Sequence, residues 1–209
     1  MAANLQQWRK RNNLTQVDAA TLLGVSQTYL SLLEKGARPL TANLRNRLKA
    51  VHGNQTGDSN NDRFRAQLSA LGYPGSAHIT SARTKSKPDV FLLSVLSQPD
   101  FDARVAESLP WLVRQYASQL DLPWLVRQAK FRNRQNRLGF VLQLAGVETP
   151  HLSAAVQELE RSRLIAEATL CWDTMPAPAR DWMRVNRSTL AEHWNVLTRV
   201  RAEDLSHVF

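Results

Sequence analysis

The strongest constraint on the fold of this chain is a short run near its N-terminus, residues 15–36, which reads TQVDAATLLGVSQTYLSLLEKG. Thr15 and Ser26 are typical helix N-caps, because a hydroxyl oxygen there accepts a hydrogen bond from a backbone N–H of the first turn. Gly24 stands between the two caps, where a left-handed backbone suits glycine best. Gly36 is expected to end the second helix. The run therefore predicts two short helices joined by a tight turn.

The apolar residues of this run repeat at the spacing of amphipathic helices. We expect the first helix to bury Val17, Ala20 and Leu23, and the second helix to bury Leu30 and Leu33. Small polar side chains are left on the exposed start of the second helix. This is the spacing of a DNA-binding helix-turn-helix, whose second helix enters the major groove by its N-terminal end.

The caps, the corner glycine and the apolar positions together resemble the Xre/Cro phage-repressor-like helix-turn-helix family, and the resemblance covers about residues 3–51. It implies that Gln16 and Ser26, at the starts of the two helices, contact the backbone phosphates of DNA. It also implies that Arg9, on a preceding helix, pairs with Glu34. Such an ion pair would be structural, because it fixes that helix against the second helix of the motif.

The same resemblance assigns base recognition to the start of the second helix. Gln27 and Thr28 match positions that face the major groove, and Gln27 can bond an adenine edge with about 1–3 kcal/mol of discrimination. Ser31 lies one turn later, beside Leu32, which stands where some members of the family carry a polar side chain. Two further cations are expected to meet phosphates, namely Lys35 and Arg38.

The net charge of +9 is confined to the part of the chain around this motif. Residues 1–57 hold eight Lys or Arg against two acidic residues, and residues 58–88 hold five against two. Residues 89–209 hold fourteen of each sign. This distribution is typical of a nucleic-acid-binding end attached to a neutral domain.

Apolar spacing along the chain predicts an all-α protein. An N-terminal DNA-binding domain of four or five helices is expected over residues 1–52, with 72 as an alternative boundary. A polar and basic linker with one short helix is predicted over 53–88, and its second half is expected to be extended. The short helix is either a fifth helix of the DNA-binding domain or the first element of the larger domain. Residues 89–209 hold five of the six tryptophans and predict a larger helical domain for dimerisation or partner binding.

The larger domain contains one internal repeat, since residues 109–115 and 122–128 both read LPWLVRQ. Each proline suits the first turn of a helix, where its missing N–H removes no hydrogen bond. We expect the two helices to pack Trp111 and Trp124 into one core. A single long helix is predicted further along, over residues 151–172.

Four basic residues of this domain recur in steps of three and four: Arg127, Lys130, Arg134 and Arg137. On one continuous helix they would form a single stripe. Three interpretations remain open from the sequence alone. The stripe is a solvated face with internal salt bridges, a docking patch for an acidic protein partner, or a second nucleic-acid contact.

The sequence lacks the residue patterns that most catalysis and cofactor binding require. None of the five histidines stands at a metal-ligand spacing with cysteine or another histidine, and there is no phosphate-binding glycine loop. Cys171 is the single cysteine, which excludes an internal disulfide and suits a reducing cytoplasm. No apolar run predicts a membrane span or a signal peptide. We therefore expect a cytoplasmic protein that is not an enzyme, with no catalytic residue, metal, cofactor or membrane contact.

These observations favour a sequence-specific transcription regulator, most simply a repressor, that binds double-stranded DNA as a homodimer. The larger domain then has two alternative tasks. It binds a protein partner, as the antitoxin of a toxin–antitoxin pair binds its toxin, or it senses a small ligand. Weaker alternatives are a nucleic-acid-processing enzyme and a nucleoid or phage structural adaptor.

Overall fold

The structure is a computed structural model that describes residues 5–6, 9–10, 14–39, 41, 44, 58–80, 82 and 85–203. This part of the chain contains ten α-helices of defined bounds: α1 Gln16–Leu23, α2 Gln27–Glu34, α3 Asp58–Ala70, α4 Pro88–Leu96, α5 Ala103–Gln115, α6 Leu122–Phe131, α7 Gln135–Leu144, α8 Pro150–Arg161, α9 Ala177–Asn186 and α10 Thr189–His193. Two strands of two residues each, β1 Ala168–Thr169 and β2 Val196–Leu197, pair in parallel. The protein is all-α, as predicted. None of the described helices is long and apolar enough to cross a membrane.

The chain divides into two compact units. The smaller unit consists of Met1–Gln55 and Thr174–Asn186, and the larger unit consists of Thr56–Asp173 and Arg187–Phe209. Helix α3 groups with the larger unit, in agreement with the alternative in which it begins that domain. Helix α9 groups with the smaller unit, which the predicted domains did not include. The boundary between the two units therefore follows the contacts between helices and not the order of the helices in the sequence.

In the smaller unit α1 and α2 pack against each other, and α9 packs against α1. Helix α1 buries Ala19, Ala20 and Leu23. Val17 is 54% exposed, so its predicted place in the core is wrong. The reason is geometric, since Val17 lies about 200° around the helix axis from Ala19.

Helix α9 turns an apolar face inward, with Ala179 and Met183 buried one helical turn apart. The first predicted helix of the smaller unit is helical at its described residues, 5–6 and 9–10. The predicted fourth helix lies outside the described residues except near its start. There the N–H of Leu44 donates to Thr41 Oγ1 at 3.3 Å, a hydrogen bond typical of a helix N-cap.

Residues 58–88, predicted as part of a linker, are folded into the larger unit where they are described. Helix α3 buries three apolar side chains in the core of that unit: Phe64, Leu68 and Leu71. After the helix the chain bonds back onto it, from the N–H of Ala82 to the carbonyl of Ala66 and from the N–H of Ser86 to Gln67 Oε1, both at 3.0 Å. Where it is described, the expected extended tether is thus replaced by a segment that bonds to α3 through the N–H groups of Ala82 and Ser86.

The two LPWLVRQ copies occupy different places in their helices. Pro123 lies in the first turn of α6, as predicted. Pro110 lies inside α5, so the prediction of a first-turn proline is wrong for this copy. Helix α5 begins earlier because Asp102 caps it, accepting a hydrogen bond from the N–H of Arg104 at 2.7 Å. The tryptophans of both copies pack on one core, as predicted: Trp111 and Trp124.

The single helix predicted over 151–172 is wrong, because α8 is followed by a loop and then by β1. Gln135 on α7 donates from Nε2 to the carbonyl of Ser162 at 3.0 Å. Asn136 bonds both the N–H and the carbonyl of Leu164, at 2.8 and 2.9 Å. These side chains satisfy backbone groups that a continuing helix would have paired internally.

Candidate nucleic-acid interface

The turn between α1 and α2 is fixed by local hydrogen bonds. Thr15 and Asp18 cap α1 reciprocally: the N–H of Asp18 donates to Thr15 Oγ1 at 3.1 Å, and the N–H of Thr15 donates to Asp18 Oδ2 at 3.2 Å. Gly24 follows α1 with a φ of 64°, and the N–H of Val25 reaches back to the carbonyl of Ala20 at 2.9 Å. Bonds within a few residues therefore set the direction in which α2 begins.

Helix α2 is held by a cap at its start and by two leucines in the core. Ser26 Oγ accepts a hydrogen bond from the N–H of Tyr29 at 3.2 Å. Leu30 and Leu33 are 0% and 1% exposed. Gly36 follows the helix with a φ of 72°. The predicted caps, buried leucines and terminal glycine are all confirmed for this helix.

The unpacked surface of α2 carries the residues that the sequence assigns to DNA. Those on the helix that are exposed or half-buried are Gln27, Thr28, Ser31 and Leu32. Lys35 and Arg38 are exposed just beyond the end of the helix. The free N–H groups of the first turn carry the positive end of the helix dipole, so both ends of this surface attract phosphate.

A bidentate ion pair holds the end of α2 against the preceding helical segment. Arg9 Nε lies 2.7 Å from Glu34 Oε1, and Arg9 Nη2 lies 3.2 Å from Glu34 Oε2. The two side chains are 14% and 3% exposed, so water screens their attraction much less than it would at the surface. Arg9 Nη1 also donates to the carbonyl of Leu14 at 3.2 Å. One guanidinium therefore joins the segment before α1 to the end of α2.

Gln16 completes this cluster, since its Nε2 donates to Glu34 Oε2 at 2.9 Å. Burial by itself raises the pKa of Glu34. The hydrogen bonds from Arg9 and Gln16, with the charges of Arg9 and Lys10, outweigh it and hold that pKa below its ordinary value of 4.5. The hydrogen bond to Glu34 in turn raises the pKa of Arg9. The amide nitrogen of Gln16 carries a second hydrogen, so the predicted phosphate contact does not require breaking the bond to Glu34.

The four cations predicted to form one basic stripe do not share a continuous helix face. Helix α6 ends at Phe131, Asn133 adopts a left-handed conformation with a φ of 55°, and α7 begins at Gln135. Arg137 is 0% exposed. The prediction of a single exposed stripe is therefore wrong, because the helix is interrupted between Lys130 and Arg134.

Arg137 instead has a structural role in the interior of the larger unit. Its Nη1 donates to the carbonyls of Leu96 and Gln98 at 2.9 and 2.6 Å, and its Nη2 bonds to Asp173. Burial lowers the pKa of Arg137, and the charge of Asp173 opposes that shift. A guanidinium keeps its proton in proteins. The resulting ion pair ties α7 to the chain that follows β1.

The other three cations have separate surroundings. Lys130 Nζ lies 3.2 Å from Glu158 Oε1 on α8, and Arg134 Nη1 lies 3.9 Å from Asp173 Oδ2. Arg127 is exposed. Arg127 and Lys130 thus remain on the surface, where a partner can reach them, whereas the buried Arg137 cannot take part in such a contact.

Titratable side chains elsewhere in the described part of the chain do not form a metal cluster of three or more His, Cys, Asp or Glu. His193 Nε2 lies 2.5 Å from Glu160 Oε1, and its ring packs edge-on against Trp194 with 5.6 Å between centroids. Burial raises the pKa of Cys171 to about 12, so its thiol stays protonated at neutral pH. The side chains of His193 and Cys171 are therefore part of the packing of the larger unit.

Comparison with known proteins assigns the N-terminal segment. A family model described as helix-turn-helix matches residues 5–45, about a fifth of the chain. No curated protein and no solved structure matches the chain. The matched segment contains α1, α2 and the ion pair between Arg9 and Glu34. Residues 5–45 therefore form a helix-turn-helix of the Xre/Cro-like family, the DNA-binding part of a transcription regulator.

Proposed function

We propose that the protein is a sequence-specific repressor of transcription that binds double-stranded DNA through the exposed start of α2. The observation that carries this proposal is the exposure of Gln27 and Thr28 on a helix fixed at both ends. Ser26 caps its start, and the ion pair between Arg9 and Glu34 holds its end. A helix fixed in this way loses little conformational freedom when it enters a groove.

Phosphate contacts position α2 and base contacts give it specificity. Gln16 and Ser26 lie at the starts of the two helices, where backbone N–H groups are free to meet phosphate oxygens. Lys35 and Arg38 supply charge beyond the other end of α2. Gln27 reads an adenine edge, and the 36% exposed side chain of Leu32 touches a thymine methyl group.

A single helix-turn-helix offers too few contacts for tight specific binding. We therefore propose a homodimer in the cytoplasm that occupies inverted half-sites about one helical turn apart. The larger unit supplies the dimer contact in this proposal. Occupation of the operator by the dimer then blocks transcription.

A selection of bound sequences from random oligonucleotides tests this proposal. We expect an inverted repeat whose half-sites are centred about 10 base pairs apart. A reporter gene placed behind the selected operator should then lose expression when the protein is produced. A selection without sequence preference would favour a structural DNA adaptor, and raised reporter expression would assign an activator.

We further propose that the larger unit binds a protein partner, as the antitoxin of a toxin–antitoxin pair does. Two of its large apolar side chains support this role, since Phe131 and Ile165 are 83% and 98% exposed. Co-purification with the product of the neighbouring gene tests the proposal. A stoichiometric complex supports an antitoxin, and a single species with no partner contradicts it.

A cavity of about 280 Å³ favours the alternative in which the larger unit senses a small ligand. Its walls combine apolar side chains of Leu68 and Val105 with the charged side chains of Arg65, Arg104 and Glu107. This mixed lining suits a small polar ligand. A ligand that fits the cavity and lowers the DNA affinity of the purified protein, with no partner present, would assign sensing in place of partner binding.

A further inference from the structure

Three helices of the larger unit meet at one corner. The C-terminal end of α6 is joined to the start of α7 by a short turn that contains Asn133. Gln135, at the start of α7, bonds to the carbonyl of Ser162, at the end of α8. Four of the exposed residues at this corner are referred to below as the corner surface: Phe131, Arg132, Arg161 and Ile165.

The apolar members of the corner surface are unusually exposed. Phe131 and Ile165 are 83% and 98% exposed, more than any other large apolar side chain that the structure describes in the larger unit. Single exposed apolar residues are common on protein surfaces, so exposure by itself assigns no role. The support beneath Ile165 is what distinguishes this site.

The loop that carries Ile165 is held by side chains from two other parts of the unit. Asn136, which is 1% exposed, bonds both the N–H and the carbonyl of Leu164. Asn195 Nδ2 donates to the carbonyl of Ile165 itself at 2.6 Å. An apolar side chain on a backbone fixed in this way loses little conformational freedom when a partner covers it. Rigid, centrally placed apolar anchors are the residues that dominate binding energy at protein interfaces.

The cations of the corner surface lack carboxylate partners among the described residues. Arg132 bonds to Gln128, and Arg161 forms no ion pair with any acidic residue that the structure describes. The acidic residues of α8 are already paired, Glu158 with Lys130 and Glu160 with His193. Cations at the C-terminal end of a helix do offset its dipole. That effect accounts for the two arginines but not for the two exposed apolar side chains.

We propose that the corner surface is the docking site of a protein partner whose contact face presents apolar side chains ringed by aspartate and glutamate carboxylates. The inference rests on the proposed partner-binding function of the larger unit. A second copy of this chain fits less well, because a symmetric contact would set the same arginines against each other. Nucleic acid also fits less well, because it would cover Ile165 with a polar, charged backbone.

Photo-cross-linking in the native host, with the full-length chain, tests this docking site. The photoreactive residue p-benzoylphenylalanine replaces Phe131 or Ile165 in two separate variants. A third variant carries it at Val185, which is 84% exposed but lies on α9 in the smaller unit. Each variant is combined with the double charge reversal Arg132→Glu and Arg161→Glu, and gel shifts on operator DNA are measured in parallel. The substituted side chains are exposed, so the fold is expected to remain intact, and circular dichroism checks this.

The expected result is one discrete adduct with the same second protein from positions 131 and 165, and none from position 185. The cross-linked peptide should be apolar with acidic neighbours, and the double charge reversal should reduce the adduct about tenfold or more. An adduct of two copies of this chain, a nuclease-sensitive adduct, an equal yield at Val185 or no adduct would each overturn the proposal. Co-purification with the unsubstituted chain measures partner binding separately. A partner that co-purifies without an adduct from positions 131 and 165 overturns the corner surface alone, whereas a chain that co-purifies with no partner contradicts the partner-binding function itself.

Discussion

Trp194 packs directly against Gly139, so closely that a Cβ at position 139 would overlap three carbons of the indole ring. Trp194 is fully buried, and its Nε1 donates to Gln143 Oε1 at 2.7 Å on the same helix, α7. The glycine in the middle of α7 therefore provides room for a ring and does not break the helix. The indole in turn joins α7 to the chain between α10 and β2.

Gly139→Ala should therefore destabilise the larger unit by about 1–3 kcal/mol through overpacking, although alanine is the better helix former. The ring cannot move away without losing its hydrogen bond to Gln143. The urea midpoint followed by tryptophan fluorescence measures the effect. Trp194→Phe removes part of the ring that overlaps, so the double variant should be more stable than the sum of the single effects predicts. Strict additivity would contradict a steric origin.

The ion pair between the buried Arg137 and the half-buried Asp173 predicts a second large effect. Arg137→Met should cost about 2–4 kcal/mol, because it removes the donor of two backbone carbonyls and one of the partners of Asp173. Thermal unfolding measures the loss. Arg127→Met is the matched control, since Arg127 is exposed and its replacement should stay within about 0.5 kcal/mol. Equal midpoints for the two variants would contradict a structural role of Arg137.

The helix-turn-helix could be predicted from the sequence because its determinants are local. Thr15, Ser26, Gly24 and Gly36 act within a few residues of their own positions, and the structure places each cap and turn where the spacing indicates. Val17 is the exception. Its apolar character fits a core position, but the buried face of α1 is centred on Ala19 and Leu23.

The larger unit was less predictable because distant side chains decide where its helices end. Cations at helical spacing are typical of a solvated face, yet Arg137 is buried by partners from α4 and from the chain after β1. Two features of the sequence could have indicated this. Asn133 lies in a polar run and tolerates a left-handed backbone, which favours a break between the helices. The apolar residues 138–142 directly follow Arg137, which favours its burial. The packing of α9 on α1 joins residues far apart in sequence, so it could not be predicted from the local spacing of apolar residues.

The Glu34 cluster makes the smaller unit sensitive to acid. The pKa of Glu34 is below its ordinary value of 4.5 in the folded chain, so the folded state binds this proton more weakly than the unfolded state. The stabilisation is fully present above about pH 4.5 and is lost as the pH falls through the lower folded value. Glu34→Gln should cost about 1–3 kcal/mol at pH 7 and weaken the pH dependence below about pH 5. Amide NMR signals of Leu30 in urea report on this unit, and an unchanged pH profile would contradict the mechanism.

Helix α9 should stabilise the helix-turn-helix although it lies in the C-terminal half of the sequence. Met183 is 7% exposed on the face of α9 that is turned inward, and α9 packs on α1. Met183→Ala should destabilise the smaller unit by about 2–5 kcal/mol. Amide exchange of Ala19 and Ala20 in α1 should become faster. Val185→Ala, on the 84% exposed position of the same helix, is the control and should leave the exchange of α1 unchanged.

The DNA interface makes different predictions for its base-reading and phosphate-binding residues. Gln27→Ala should weaken binding to the selected operator by about 1–3 kcal/mol and relax the base preference at one position of each half-site. Lys35→Ala should weaken binding to all DNA and reduce the slope of log affinity against log salt by about one. Arg127→Ala removes an exposed cation from the larger unit and should change neither quantity. Gel shifts over a salt series measure all three variants. Equal and salt-independent losses from Gln27→Ala and Lys35→Ala, in variants whose circular dichroism is unchanged, would contradict the assignment of α2 to the major groove.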